Sequence, residues 1–245
     1  MVLKIFHFLF VPSRCLNMNR SLKDIAVGRN ASGNVFRLSK NIEHCVSIAV
    51  EHIQRGDIIA LPTDTIYGLA ASAQSVTAIH KLYQIKDRSY CKPIAICVSE
   101  VGKIHQWGKI DHLPQKILFE LLPGPVTVIV ERTNRLNHKL NPGVSKVGIR
   151  IPDNVFIQKL TSALDVPLAL TSANKSNQTS TVTVDEFSPL WNHLGAVFDG
   201  GKIGDDRAGS TIVDLSVPGK YEIIRQGSDF DVTIDILKKY NLEEN

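Results

Sequence analysis

From residue 38 to the C-terminus, segments with the periodicity of a helix alternate with short runs of strand-forming residues. Apolar residues recur at helical spacing from Ile42 to Ile53, and a buried-strand pattern follows at residues 57–62. The same order returns several times along the chain. It favours one α/β domain with an open, twisted sheet, mixed or mostly parallel, flanked by helices. We predict that this domain spans residues 38–228 and that residues 229–245 form a C-terminal helix and tail.

The individual elements follow from periodicity and from turn residues. Strands are predicted at residues 57–62, 93–98, 126–130, 147–151, 167–171, 196–198, 211–215 and 221–224. Helices are predicted at residues 42–53, 75–85, 115–122, 153–164 and 230–240. Asp153 is the expected cap of the fourth of these helices, and Thr183 and Glu186 have the spacing of a capping box before a further one.

The first 30 residues carry the whole formal net charge of +4, because they hold five basic residues and one acidic residue. This basic start, with an apolar stretch at residues 5–11, is typical of a mitochondrial targeting segment, and a disordered tail is the alternative. Met18 offers a second start. We therefore expect a cytoplasmic form and a mitochondrial form. No apolar run reaches the roughly 18–20 residues of a membrane span, so we predict no stable membrane insertion.

Five polar clusters lie where strands are predicted to end, and ligands of open α/β sheets usually bind there. The first is LPTDTIYGLA at residues 61–70. Thr63 and Thr65 would share one face of an extended segment, and Asp64 would point away. Gly68 lets the backbone turn or approach a ligand closely. The alternative is an ordinary strand and turn whose threonines reflect β-propensity.

The second cluster, KDRSYCKP at residues 86–93, places Lys86, Arg88 and Lys92 within seven residues. Three cations at this spacing indicate a phosphate clamp, and a solvated basic turn at a helix C-terminus is the alternative. The third cluster joins LPGPVT at residues 122–127 to KVGIRIP, in which Lys146 and Arg150 share one face of a strand. Two cations on one face predict an anion site.

The fourth cluster, LTSANKSNQTS at residues 170–180, contains Ser172, Asn174 and Ser180. Their hydroxyl and amide groups suit phosphate or ribose oxygens, although turn chemistry alone would also select them. In the fifth cluster Ser210 opens a predicted strand and Arg225 ends another.

Several common catalytic patterns are missing. The sequence contains no P-loop, no GxGxxG fingerprint, no HExxH motif and no GxSxG elbow. The four cysteines are Cys15, Cys45, Cys91 and Cys97. No two of them have CxxC spacing, so we expect free thiols and no metal site built by the protein alone.

In this order, the clusters resemble the YrdC family of threonylcarbamoyl-adenylate synthases. The matching segments are LPTDTIYGL, IKDRSYCKP, LPGPVT, VGIRIPD, TSAN, GSTIVDL and IIRQG, between about residues 58 and 227. The resemblance implies a sheet with a large, concave, basic cavity. It also implies that L-threonine and bicarbonate form N-carboxythreonine, whose carboxylate attacks the α-phosphate of ATP and expels pyrophosphate. A separate tRNA-modifying threonylcarbamoyl transferase would receive the product and modify the adenosine next to the anticodon.

The resemblance also implies roles for residues. Threonine would be held by Thr63, Thr65, Arg150 and Ser210, and the catalytic cations would be Lys86, Arg88 and Arg150. The nucleotide would meet Lys86, Arg88, Lys92, Lys146, Ser172, Asn174, Ser180 and Arg225. Mg²⁺ would arrive with the ATP phosphates. Many family members have glycine where this chain has Asn177, which leaves the path of that loop open.

Three other functions stay open at this point. An RNA-binding module would use a basic concave surface to hold a duplex backbone, although the body of the chain is electrically neutral. Weak binding of double-stranded RNA is also compatible with the enzyme. A related enzyme making carbamoyl-adenylate usually belongs to a longer chain. A membrane-associated regulator has support only from the N-terminal segment.

Overall fold

The computed structural model of the chain describes residues 33–86, 92–175 and 178–245. The strands described there are β1 Val35–Arg37, β2 Ile59–Pro62, β3 Tyr67–Ser72, β4 Ala95–Cys97, β5 Val126–Glu131, β6 Lys146–Arg150, β7 Leu168–Ser172, β8 Ala196–Asp199, β9 Thr211–Asp214, β10 Lys220–Arg225 and β11 Glu243–Glu244. The helices are α1 Ile42–Gln54, α2 Val76–Lys86, α3 Ile117–Leu121, α4 Val155–Leu164 and α5 Phe230–Lys239, with 3₁₀ helices at Val101–Gln106 and Asp185–His193.

Within this described part of the chain, all eleven strands join one open sheet in the order β1-β8-β2-β3-β7-β4-β6-β5-β9-β10-β11. The sheet is mixed, since β1/β8, β2/β8, β4/β6 and β5/β9 are parallel, whereas β2/β3, β3/β7 and β5/β6 are antiparallel. The prediction of a single α/β domain with an open mixed sheet and flanking helices is confirmed.

The two faces of the sheet are covered unequally. One face packs on α2, α3, α5 and both 3₁₀ helices and forms the larger core, with Tyr67, Leu69 and Ile149 fully or almost fully buried. The other face packs on α1 and α4, which contact each other. That second cluster takes its strand residues from β2, β3, β4, β7 and β8. Among the described residues, α1 and α4 share no apolar cluster with β5, β6, β9 or β10 on this face, which leaves that half of the sheet open.

Most predicted elements are present with boundaries shifted by no more than two residues, but two predicted caps are wrong. Asn154, rather than Asp153, caps α4, because its Oδ1 accepts from the N–H groups of Phe156 and Ile157. No capping box forms at Thr183 and Glu186: residues 185–193 form a 3₁₀ helix whose N-cap, Val184, makes no side-chain cap.

Three strands, β1, β3 and β11, were not predicted. β1 lies before residue 38 and pairs in parallel with β8, and β11 pairs with β10. Both ends of the described chain are therefore joined to the same sheet. None of the described helices is long and apolar enough to cross a bilayer. Cys45 and Cys97 are buried free thiols, and Cys15 and Cys91 lie outside the described residues.

Candidate active site

A cavity of about 170 Å³ lies on the uncovered part of the sheet, where the ends of several strands converge. Apolar residues such as Ile66, Leu170 and Ile212 form part of its wall. Five residues that were predicted for the site also line it: Thr63, Arg150, Ser172, Ser210 and Arg225. With Pro93 of the second cluster, which also lines the cavity, residues from all five polar clusters of the sequence meet at one point of the fold.

The turn that joins β2 to β3 is held by Thr63. Its hydroxyl accepts from the N–H groups of Thr65 and Ile66, at 3.1 and 3.2 Å, and donates to the Ile66 carbonyl at 2.8 Å. Residues 63–66 are consequently a closed turn and not an extended segment. The expectation that Asp64 points away from its two threonine neighbours is wrong, because Asp64 and Thr65 reach the same guanidinium group.

That guanidinium belongs to Arg150, the last residue of β6, which is 6% exposed. Its Nη2 donates to Thr65 Oγ1 at 2.9 Å and to Asp64 Oδ1, while Asp64 Oδ2 accepts from the backbone N–H of Asp153 at 3.0 Å. The Nε of Arg150 is buried and has no hydrogen-bond partner. Asp64 is a site residue that sequence reasoning missed, and the available signal was an acidic residue between two predicted ligands.

Arg225 enters the cavity from β10 and is held by Ser210. Its Nε and Nη2 donate to the Ser210 carbonyl at 3.0 and 2.7 Å, and Ser210 Oγ lies 2.8 Å from Thr127 Oγ1. Partial burial, followed by the positive charge of Arg150, lowers the pKa of Arg225. Two guanidinium groups that repel each other across one cavity favour an anion between them.

Lys86, at the end of α2, is 1% exposed and anchors the loop after β7 from beneath. Its Nζ donates to the carbonyl and hydroxyl of Ser172, at 2.7 and 3.2 Å, and to Asn174 Oδ1 at 2.9 Å. It also donates to the Asn174 carbonyl. A direct contact between Lys86 and a phosphate would require some of these bonds to be exchanged.

The other predicted nucleotide contacts do not line the cavity. Lys146, four residues before Arg150 on β6 and about 13 Å away along the strand, pairs with Asp214 at 2.7 Å. Lys92 is exposed, Asn174 is buried beside Lys86, and the Ser180 carbonyl accepts from Arg207 at 2.6 Å. Arg88 lies outside the described residues. Among the described residues, the charged ones that line this small cavity are Arg150 and Arg225, and the expectation of a large basic cavity stays a prediction.

A larger depression, of about 480 Å³, lies between α2 and the 3₁₀ helix at Asp185–His193. No residue predicted for the site lines it; its walls are Lys81, Gln84, Ile85, Lys175, Pro189, Leu190 and His193. The candidate site is therefore assigned by the convergence of hydroxyl and guanidinium groups, and not by size.

Comparison with known families gives one match over most of the chain. The Sua5/YciO/YrdC family model, described as "Telomere recombination", matches residues 51–227. This range contains every residue discussed above for the cavity.

Two curated relatives illustrate the range of similarity. The chain is 48% identical over 199 residues to the Bos taurus protein named threonylcarbamoyl-AMP synthase, covering 79% of this chain and 72% of the relative. It is 35% identical over 184 residues to a putative threonylcarbamoyl-AMP synthase of Methanocaldococcus jannaschii, covering 72% of this chain and 83% of the relative.

Among solved structures, the fold is similar to that of P. abyssi Sua5 complexed with L-threonine. The TM-score is 0.76 at 22% identity, and the match covers 86% of this chain. The chain spans 62% of the length of that Sua5 protein, which is therefore considerably longer.

The burial of Lys86 predicts that Lys86→Met destabilises the protein. Methionine has a similar length but leaves the oxygens of Ser172 and Asn174 without their donor, at a cost of roughly 3 kcal/mol. Equilibrium unfolding in urea measures this loss. Lys238→Met, at an exposed position of α5, is the matched control and should change the free energy of unfolding by less than about 0.5 kcal/mol. Equal stabilities of the two variants would contradict a structural role for Lys86.

Proposed function

The chain belongs to the Sua5/YciO/YrdC family, and we propose that it makes threonylcarbamoyl-AMP from L-threonine, bicarbonate and ATP, with release of pyrophosphate. The observation that carries the proposal is the cavity in which Thr63 and Ser210 meet the guanidinium groups of Arg150 and Arg225. The relatives that are 48% identical to this chain bear the name of that activity.

The cavity has the size and chemistry of a subsite for one amino acid. Its volume of about 170 Å³ is below the range of roughly 300–1,000 Å³ that is usual for drug-sized ligands, so the complete ATP molecule must extend outside it. A guanidinium group is the preferred partner of a carboxylate. We assign the threonine carboxylate to Arg150, its hydroxyl to the Thr63 and Ser210 side, and its methyl group to the apolar wall of Ile66 and Ile212.

The proposed chemistry needs two bonds to form. The amine of threonine attacks the carbon of bicarbonate, a C–N bond forms, and water leaves to give N-carboxythreonine. An oxygen of the new carboxylate then attacks the α-phosphorus of ATP, and the bond from that phosphorus to the bridging oxygen breaks as pyrophosphate departs. No protein nucleophile is required, because alignment of the reactants and fixed positive charge lower the barrier.

The nucleotide is proposed to lie along the loop after β7. Ser172 lines the cavity and also accepts from Lys86, so it stands at the boundary between the two substrates. From there ATP would extend past Asn174 and Ser180, with Arg88, Lys92, Lys146 and Arg225 as further proposed contacts. The nucleotide contacts of these residues are proposed from the sequence resemblance.

Mg²⁺ is proposed as the companion of ATP. Among the described residues, no three His, Cys, Asp or Glu side chains gather in a way that would hold a metal ion. The ion would therefore be bound mainly by phosphate oxygens and water, which is the usual behaviour of Mg²⁺. It would supply charge neutralisation at the leaving pyrophosphate.

A threonylcarbamoyl transferase that modifies tRNA is the proposed recipient of the product, because a mixed anhydride of a carbamate and AMP is an activated acyl donor. The main alternative function is an RNA-binding module without chemistry of its own. That alternative predicts a salt-dependent RNA affinity in the absence of ATP turnover.

The reaction predicts that pyrophosphate release by the purified protein requires threonine, bicarbonate and ATP together. Omitting any one of them, or chelating Mg²⁺, should reduce the rate to background. A coupled assay measures the rate at which pyrophosphate is released. The same assay with serine in place of threonine is a second test. Release of pyrophosphate without threonine would exclude the proposed substrate, and RNA binding without any release would favour the alternative function.

The geometry of Arg150 predicts that Arg150→Lys selectively weakens threonine binding. A single ammonium group drawn to Asp64 cannot also face the cavity, whereas the guanidinium group can do both. We expect the KM for threonine to rise about tenfold or more, corresponding to one lost charge-assisted hydrogen bond, with little change in the KM for ATP. Arg55→Lys, in a surface pair with Asp57, is the control and should leave both constants unchanged. A selective rise in the KM for ATP would contradict the assignment.

Two products differing at the N-terminus are proposed from the basic start of the chain and from Met18. We expect a C-terminally tagged chain starting at Met1 to enter mitochondria in part, and a chain starting at Met18 to remain in the cytoplasm. Imaging and cell fractionation of both forms measure this. Identical distributions would show that residues 1–17 carry no targeting information.

A further inference from the structure

Two segments run beside the cavity without lining it. The first rim segment is residues 178–186, which follow the loop after β7. The second rim segment is residues 200–209, which connect β8 to β9. They contact each other through a backbone hydrogen bond from the Ile203 N–H to the Val182 carbonyl at 2.9 Å.

Arg207, in the second rim segment, links the two by side-chain bonds. Its Nη1 donates to the Ser180 carbonyl at 2.6 Å and to Glu186 Oε2 at 2.8 Å, and its Nη2 donates to Glu186 Oε1 at 2.8 Å. Glu186 Oε2 also accepts from the Val182 N–H at 3.0 Å. One guanidinium group therefore fixes a backbone carbonyl and a two-pronged carboxylate at the same time, which is the geometry that only arginine supplies.

Each rim segment is connected to a different part of the proposed site. The first contains Ser180, assigned to the nucleotide, and the Thr181 carbonyl accepts from the N–H of the cavity residue Tyr67 at 2.8 Å. The second ends at Gly209, with φ of 70°, directly before Ser210, and a Cβ atom added at Gly209 would lie 3.3 Å from Arg225 Nη2. The link from Arg207 to Glu186 thus spans the nucleotide side and the threonine side.

Stability alone gives little reason for this link. The side chains of Arg207 and Glu186 are 40% and 32% exposed, and exposed ion pairs usually contribute only about 0–1 kcal/mol. The hydrogen bonds from Arg207 lower the pKa of Glu186 to about 2, so the carboxylate is ionised and the link is complete at neutral pH. Its contribution is present above the ordinary pKa of 4.5 and is lost as the pH falls towards 2.

We propose that Arg207 is a positioning residue, which by binding Ser180 and Glu186 holds the nucleotide-binding rim at a fixed distance from the threonine subsite. The inference rests on the proposed function, because the attack of N-carboxythreonine on the α-phosphate needs both substrates in register. A misplacement of about 1 Å can reduce a rate roughly a hundredfold. Loosening one rim segment should act on turnover and on ATP, and leave threonine binding intact.

The test compares Arg207→Ala, Arg207→Lys and Glu186→Gln with the unmodified chain. For Arg207→Ala we expect kcat/KM for ATP to fall about tenfold to a hundredfold, with the Kd of threonine alone, measured by calorimetry, unchanged. The kcat/KM for ATP of Arg207→Lys should lie between the values of Arg207→Ala and the unmodified chain, because lysine keeps the positive charge but cannot form the two-pronged hydrogen bonds. Adding Glu186→Gln to Arg207→Ala should cause little further loss, because both changes break the same link.

Lys239→Ala is the matched control, because Lys239 forms a similar two-pronged surface pair with Glu120, between α5 and α3. It should lower the melting temperature as much as Arg207→Ala does and leave kcat/KM for ATP unchanged. Equal kinetic effects of Lys239→Ala and Arg207→Ala would overturn the proposal, as would losses of Arg207→Ala and Glu186→Gln that simply multiply. Failure of the unmodified chain to release pyrophosphate would instead overturn the proposed function. This outcome can be distinguished from failure of the Arg207 proposal, because it does not depend on any variant.

Discussion

The candidate site depends on one buried ion pair. Arg150 is 6% exposed, and a buried guanidinium group is strongly destabilising unless a carboxylate and further hydrogen bonds compensate it. Asp64 supplies the carboxylate, Thr65 a hydroxyl group, and the Asp153 N–H holds Asp64 from its other side. The pair therefore joins the turn between β2 and β3 to the end of β6, and β7 and β4 lie between β3 and β6 in the strand order. The Arg150 guanidinium group therefore faces the cavity in a fixed orientation, with its charge largely balanced by Asp64.

The open half of the sheet explains why this pair can lie beside a cavity. α1 and α4 cover the strands from β8 to β4 and contribute no residue over β5 and β9 among the described residues. At the edge of this region, two glycines leave room above the sheet. A Cβ atom at Gly148 would come within 3.0 Å of Thr127 Cγ2, and one at Gly68 within 2.7 Å of Leu170 Cδ1. A side chain at either position would crowd one of these neighbours, both of which line the cavity.

Periodicity predicted most of the fold, because α1, α2, α4 and α5 bury one face each and the central strands are rich in Val, Ile and Leu. β3 escaped prediction because its sequence, YGLAAS, has few branched residues; it is a strand because β2 and β7 pair with it on both sides. The polar clusters were found, but their pairing was not. Asp64 and Arg150 are 86 residues apart, and no local spacing indicates that their side chains meet.

The same limit applies to Lys86. Its position in KDRSYCKP favoured an exposed clamp, yet the end of α2 directs its Nζ under the loop after β7, where Ser172 and Asn174 surround it. A lysine in that place has a structural effect on any ligand held by Ser172, because the hydroxyl and carbonyl groups of Ser172 are oriented by its ammonium group. Arg150 is likewise oriented by Asp64, and Arg225 is held by Ser210. Each described cation near the cavity thus has oxygen partners within the protein. Substrates bound at this site would meet cations that are already fixed in direction, and such preorganisation is what stabilises developing charge without a protein nucleophile.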